Sequence, residues 1–225
     1  MFVAQKSLVN LAHNIADHLL QIKAVQLNAE EPFTWASGLR SPIYCDNRKI
    51  LSHPEIRKEI VKGLVELSIG FAGIQAIAGV ATAGIAWGAW LADALNLPFV
   101  YVRSKAKEHG LKNQIEGELD PASRLLVVED LVSTGGSSID AILGLEEAGH
   151  QVLGLISIFQ YGFDTAKQRF AEKKLSFISL TDFHSLLERA LQAKYIEQTT
   201  YENLLSWNKD PGKWSDNFQL QKASL

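Results

Sequence analysis

Residues 125–137 read Leu125-Leu126-Val127-Val128-Glu129-Asp130-Leu131-Val132-Ser133-Thr134-Gly135-Gly136-Ser137. Four consecutive apolar side chains indicate a strand buried on both faces, which belongs in a parallel sheet covered by helices. Two adjacent acids follow the apolar run, and small and hydroxyl residues then lead into a helix. Successive backbone N–H groups in such a turn form an anion nest, to which the helix N-terminus adds partial positive charge. Gly135 and Gly136 permit close backbone approach and unusual φ. Glu129 and Asp130 would repel a phosphate held in the nest, so they suit the hydroxyls of a sugar attached to it. The stretch therefore describes a cradle for a ribose 5-phosphate. It lacks the lysine of a P-loop and the Gly-x-Gly-x-x-Gly of a dinucleotide site. The alternative for the turn alone is an ordinary strand-to-helix connection with a capping serine.

The same alternation recurs on either side. Apolar runs predict strands over 74–81, 98–103, 124–130, 151–159 and 175–180. Leu8, Leu11, Ile15 and Leu19 share one face of an amphipathic N-terminal helix. Ser52 and Glu55 have the spacing of a capping box, and Ile56, Ile60, Val61, Leu64 and Leu67 continue it as a helix. A small-residue loop, Thr82-Ala83-Gly84, opens a helix running to about position 96. The helix after the nest ends at Gly149, where a left-handed C′ residue is expected. Residues 182–207 read as helix, and Trp207 and Trp214 as packing anchors. Strand–helix–strand order gives an α/β fold: a central parallel sheet flanked by helices, with ligands outside the carboxyl ends of the strands. No repeat or linker divides the chain, so one domain is expected. Its parts are 1–50, a core over about 55–180, and C-terminal helices over 181–225.

Bulk properties exclude several classes. The 225 residues carry a net charge of −3, with 47% hydrophobic and 21% charged residues and a pI near 6.1. Such a balance gives no general attraction to nucleic acid or to a membrane surface. No apolar stretch reaches the about 18 residues a membrane span needs, and the N-terminus lacks the layout of a signal peptide. The single cysteine, Cys45, rules out an intramolecular disulfide and suits a reducing cytoplasm. His13, His53, His150 and His184 are scattered without metal-ligand spacing and read as surface or cap residues.

Two further segments carry chemistry. Arg103, Lys105, Lys107 and His109 fall within one polar stretch, on one side of the chain if it is extended. Such a cluster can neutralise a departing pyrophosphate, or it is simply a solvated charged hairpin. Gly110 and Gly117 would let the following loop close over a substrate and exclude water. The second segment, Phe33-Thr34-Trp35-Ala36-Ser37-Gly38-Leu39-Arg40-Ser41-Pro42-Ile43-Tyr44, joins aromatics, a Ser-Gly turn and a cation. This suits a flat anionic base, or a structural turn packed on the core.

Residues 125–137 resemble the motif for phosphoribosyl pyrophosphate (PRPP) in type I phosphoribosyltransferases. With the basic stretch and the Phe33–Tyr44 segment, they are most similar to the orotate phosphoribosyltransferases. The resemblance implies the type I fold, with residues 1–50 as a small base-binding hood over the PRPP-binding core. It implies that Glu129, Asp130, Leu131, Val132, Ser133, Thr134, Gly135, Gly136 and Ser137 bind PRPP. Ser133, Tyr44 and Arg40 would then face orotate, with Asp130 a catalytic group. It further implies a homodimer in which Arg103, Lys107 and His109 reach the PRPP of the neighbouring chain and stabilise or protonate the leaving pyrophosphate. The implied cofactor is Mg²⁺, held mainly through substrate rather than by a dedicated protein site. The implied reaction is pyrophosphate displacement at ribose C1 by orotate N1, giving orotidine 5'-monophosphate for pyrimidine biosynthesis. The rivals are transfer to another base and a non-catalytic PRPP-sensing regulator. The chain departs from some relatives at Ala36 and Ala83, where they have lysines. It departs also at Gln160, where they have an arginine, and at Ser104, with Lys105 one place later than the usual lysine.

Overall fold

The computed structural model describes residues 2–35, 37–103 and 114–223. The first helix, α1 (Phe2–Gln21), buries Ile15, Ala16 and Leu19 on its inner face, and Leu11 packs beside them. Next come the short strands β1 (Val25–Leu27), β2 (Phe33–Thr34), β3 (Arg40–Ser41) and β4 (Ile43–Cys45). Strand β1 pairs antiparallel with β4, and β2 with β3, so this part is two small ribbons.

The expected capping box at Ser52 is a correction. Ser52 ends a 3-10 helix (Asn47–Ser52) capped by Asp46, and helix α2 (Pro54–Ser68) starts from His53 with no side-chain cap. A residue before proline is pushed out of the helical region. His53 obeys, with φ −117° and ψ 87°, so the boundary falls one residue later than the Ser-x-x-Glu spacing suggests.

Strand β5 (Ala76–Val80) is buried at every position and is followed by α3 (Gly84–Leu95), which ends on Asn96 in the left-handed region. Strand β6 (Phe99–Val102) pairs with β7 (Ile115–Glu116), an antiparallel edge strand within a stretch whose polarity had predicted none. Then come β8 (Arg124–Val132), α4 (Gly136–Glu147) and β9 (Gln151–Gln160). Helix α5 (Asp164–Glu172), absent from the expectations above, leads into β10 (Ser176–Asp182). The helix expected over 182–207 is two, α6 (Phe183–Gln192) and α7 (Gln198–Lys209), and a third, α8 (Pro211–Ala223), follows among the C-terminal helices. Pro211 sits at the start of α8, where a missing N–H is harmless.

The strand order is β10-β9-β8-β5-β6-β7, parallel except at β7. Successive side chains of β8 alternate between two cores. Leu126 and Val128 join Trp87, Ile60 and Leu19 on one face; Leu125 and Val127 join Ile142, Leu145 and Phe170 on the other. Each such side chain contributes about 1.5–3 kcal/mol on full burial, so β8 is firmly held when it reaches the acids at its end. Gly149 has φ 87° between α4 and β9, as its expected cap position requires. No described helix is long and apolar enough to cross a membrane.

Candidate active site

The loops after β5 and β8 meet at the carboxyl edge of the sheet, where open α/β sheets bind ligands. They enclose a cavity of about 330 Å³ lined by residues 81–83, 129–131 and 133–137. The Ala81–Thr82 peptide in this lining is cis. Gly84, at the start of α3, lies so close to β8 that a Cβ there would sit 2.5 Å from the Val128 carbonyl oxygen. Its lack of a side chain is what lets the β5–α3 turn close against the strand carrying the acids.

Strand β8 runs to Val132, so both acids lie within the strand, just before its last two residues, rather than in a loop. Glu129 is 6% exposed, and its Oε1 accepts a hydrogen bond from the Asp130 backbone N–H at 3.0 Å. Burial, with Asp130 beside it, pushes the Glu129 carboxyl well above the usual range. Burial also raises Asp130, opposed by its hydrogen bonding with Glu129 and by the charge of Arg48. These two carboxyls therefore resist ionising together.

Past β8, Gly135 caps α4 with φ 76° and ψ 4°. Ser133, Thr134, Gly135, Gly136 and Ser137 line the cavity. Leu131 lines it too, but Val132 does not: its side chain enters the second core and its carbonyl accepts from Tyr161 N–H at 3.1 Å. A reach across the fold adds Arg169 of α5, whose Nη1 donates to the Thr134 carbonyl at 2.8 Å.

The ribbons of the N-terminal part are docked on this edge. Asn47 Nδ2 donates to the Asp130 carbonyl at 2.8 Å, while its Oδ1 accepts from the Cys45 thiol at 3.4 Å. Arg48 pairs with Asp46 at 2.6 Å, which lowers the Asp46 carboxyl. The Cys45 thiol is pushed well up by burial and by Asp130 and Asp46, so it stays protonated. Tyr44 is 37% exposed, its ring 5.6 Å from that of Phe33. The Arg40 backbone N–H donates to Ser215 Oγ of α8 at 2.9 Å. Beyond Thr134 lies a second cavity, of about 760 Å³, between Trp35 and Leu39 on one side and α7 and α8 on the other.

Arg103 follows β6. Its N–H donates to the Gln114 carbonyl at 2.8 Å and its Nη1 pairs with Glu116 Oε1 at 3.2 Å. Both ends of the basic segment are therefore clamped together beside β5, where Ala81 N–H donates to the Val102 carbonyl at 2.8 Å. Ser104, Lys105, Lys107, His109 and Gly110 lie outside the described residues, as does Ala36. Ala83 lines the cavity, and Gln160 ends β9 opposite Val132 and Asp182.

Asn47, Arg48 and Arg169 are site residues that the sequence reading missed. Asn47 and Arg48 follow directly on Tyr44-Cys45-Asp46, and the Asp-capped turn they begin was a usable signal. Nothing local marks Arg169, which meets Thr134 across 35 positions.

Comparison with known proteins agrees with this geometry. The family model described as phosphoribosyl transferase domain matches residues 47–188. The orotate phosphoribosyltransferase of Bacillus pumilus is 52% identical over 202 residues, spanning 89% of this chain and 95% of its own length. That of Listeria monocytogenes is 49% identical over 207 residues, spanning 92% and 99%. Among solved structures, the Aeropyrum pernix orotate phosphoribosyltransferase superposes with a TM-score of 0.71 at 30% identity, covering 81% of this chain and 99% of that one.

Proposed function

The chain belongs to the phosphoribosyltransferase family, as an orotate phosphoribosyltransferase making orotidine 5'-monophosphate from PRPP and orotate, and from that premise we propose how its residues divide the work. The observation that carries the assignment of roles is the single cavity in which Glu129, Asp130 and the 133–137 turn meet. The backbone N–H groups of 133–137 hold the 5-phosphate at the positive end of α4. Glu129 and Asp130 accept hydrogen bonds from the ribose hydroxyls below it. As the bond from C1 to pyrophosphate breaks, positive charge grows on the ribose ring, and the Asp130 carboxylate stabilises it. Orotate N1 enters from the opposite face, with Ser133, Tyr44 and Arg40 at the base side. The first fifty residues act as the base hood, 55–180 as the PRPP core and 181–225 as its brace.

Mg²⁺ fits the chemistry of this donor set. The ion takes one or two carboxylates and fills its remaining positions with phosphate oxygens and water. Here the ion would be held mainly through the pyrophosphate and ribose oxygens of the substrate, which Glu129 and Asp130 orient, and among the described residues no group of three or more His, Cys, Asp or Glu side chains is placed to hold it. When bound, the ion would supply charge neutralisation on the pyrophosphate.

The basic loop completes the site from a second copy of the chain. Its two ends are held together by the hydrogen bond from Arg103 N–H to the Gln114 carbonyl. Lys107, Arg103 and His109 then neutralise or protonate the departing pyrophosphate in the partner's site, and the working unit is a homodimer. The reading places the enzyme in the cytoplasm, with its soluble substrates. Loss of orotate absorbance with PRPP and Mg²⁺ tests the scheme when a panel of other bases is run beside it. Turnover restricted to orotate is expected, and equal turnover of adenine would overturn the base assignment.

A further inference from the structure

Arg169 of α5 reaches the phosphate turn from outside the cavity. Its Nη1 donates to the Thr134 carbonyl at 2.8 Å and lies 3.2 Å from the point where a Cβ on Gly136 would stand. The guanidinium therefore sits over the first turn of α4. That turn already carries the positive end of the helix dipole, so a second positive charge beside it is unfavourable by itself. Among the described residues no carboxylate compensates it. The acids of its own helix are occupied elsewhere: Asp164 pairs with Lys167 at 3.0 Å, and Glu172 accepts from Gln168 at 3.0 Å. One of the five guanidinium N–H donors is used, leaving the rest available.

A bound dianion reverses this balance. We propose that Arg169 is a positioning residue for the 5-phosphate, fixing the Thr134 carbonyl and adding a positive charge to the nest from α5. The inference rests on the reading that residues 133–137 hold that phosphate. It concerns substrate affinity rather than the bond-making step, because the 5-phosphate does not react.

The test uses Arg169→Ala, Arg169→Gln and Arg169→Lys in the full chain, with circular dichroism confirming folding. Each is measured for the KM of PRPP and for inhibition by ribose 5-phosphate and by pyrophosphate. The Ala and Gln variants should weaken PRPP and ribose 5-phosphate by about two- to fivefold, the size of one solvent-exposed charge interaction. The Lys variant should retain most of the affinity, kcat at saturating PRPP should hold, and pyrophosphate inhibition should not move. The difference should narrow as salt is added. Wild-type ribose 5-phosphate affinity in the Ala variant, or in the Gln variant alone, would overturn the charge role. Ser137→Ala is the companion: if it weakens ribose 5-phosphate while Arg169→Ala does not, the loop assignment stands and Arg169 falls. If neither does, the 5-phosphate assignment falls with it.

Discussion

Replacing Gly135 by alanine tests whether the phosphate loop depends on a backbone shape that side chains oppose. Gly135 caps α4 at φ 76°, and an added Cβ would meet Phe170 Cε2 at 3.3 Å. Left-handed backbone costs an L-residue about 1–2 kcal/mol. The Phe170 ring is 1% exposed in the second core, so it can give only slightly. At this chain length that loss lowers the thermal midpoint by about 2–8 °C. The KM for PRPP should rise as well, since the nest N–H groups turn with the backbone. Gly149→Ala supplies the comparison. It has φ 87° and nothing within 4 Å of its Cβ, and it lies between α4 and β9 at the opposite edge of the sheet. It meets the same backbone cost but no phosphate. Thermal denaturation and steady-state orotate depletion are read on both variants. A loss of stability is expected in both, the larger in Gly135→Ala because of Phe170, with PRPP affinity lost in Gly135→Ala alone. Unchanged stability in Gly135→Ala, or equal KM shifts in the two, would refute the reasoning.

Other outcomes follow from the same geometry. Lys107→Ala should lower kcat by about 10²–10³-fold without altering the circular dichroism spectrum; near-normal turnover would remove the loop from the chemistry. Mixing Lys107→Ala with Asp130→Asn should recover activity that neither has alone, because one site of a mixed dimer is intact; no recovery would argue that each chain uses its own loop. Glu129→Gln should abolish most turnover yet stabilise the fold at neutral pH. A buried carboxyl with a raised folded value leaves stability intact below its ordinary value of about 4.3 and erodes it as pH rises toward the folded value. Urea denaturation should therefore show the gain at neutral pH and its disappearance near about pH 4; a gain that persists there would contradict the burial argument. Asn47→Ala leaves the Asp130 carbonyl without its donor, at a cost of about 1–3 kcal/mol in stability. It should also depress kcat; wild-type kcat would mean the hood does not hold Asp130 in place.

Much of the site was legible because its parts are neighbours along the chain. The run 125–128 buries itself on both faces by simple alternation, and the acids and glycines after it fall at the strand end whatever surrounds them. The cap at Gly149 and the small-residue turn at 82–84 were readable for the same reason. The helix boundary at Pro54 was misread although the information was local, because the constraint of a proline on the residue before it outranks a capping pattern. The break between α6 and α7, over residues 193–197, contains no proline or glycine to mark it.

What composition and pattern along the chain determined, then, was the parallel α/β sheet, the phosphate turn, and the acids placed just before it. Those features depend on interactions between residues a few positions apart. Only the tertiary structure decided that Asn47 would grip the Asp130 carbonyl across 83 positions and that Arg169 would reach Thr134 across 35. It alone closed the basic segment at Arg103 and Gln114 by making β7 an edge strand. These contacts join polar groups whose partners are chosen by how the helices and ribbons pack on the sheet, and no periodicity in the chain records that choice.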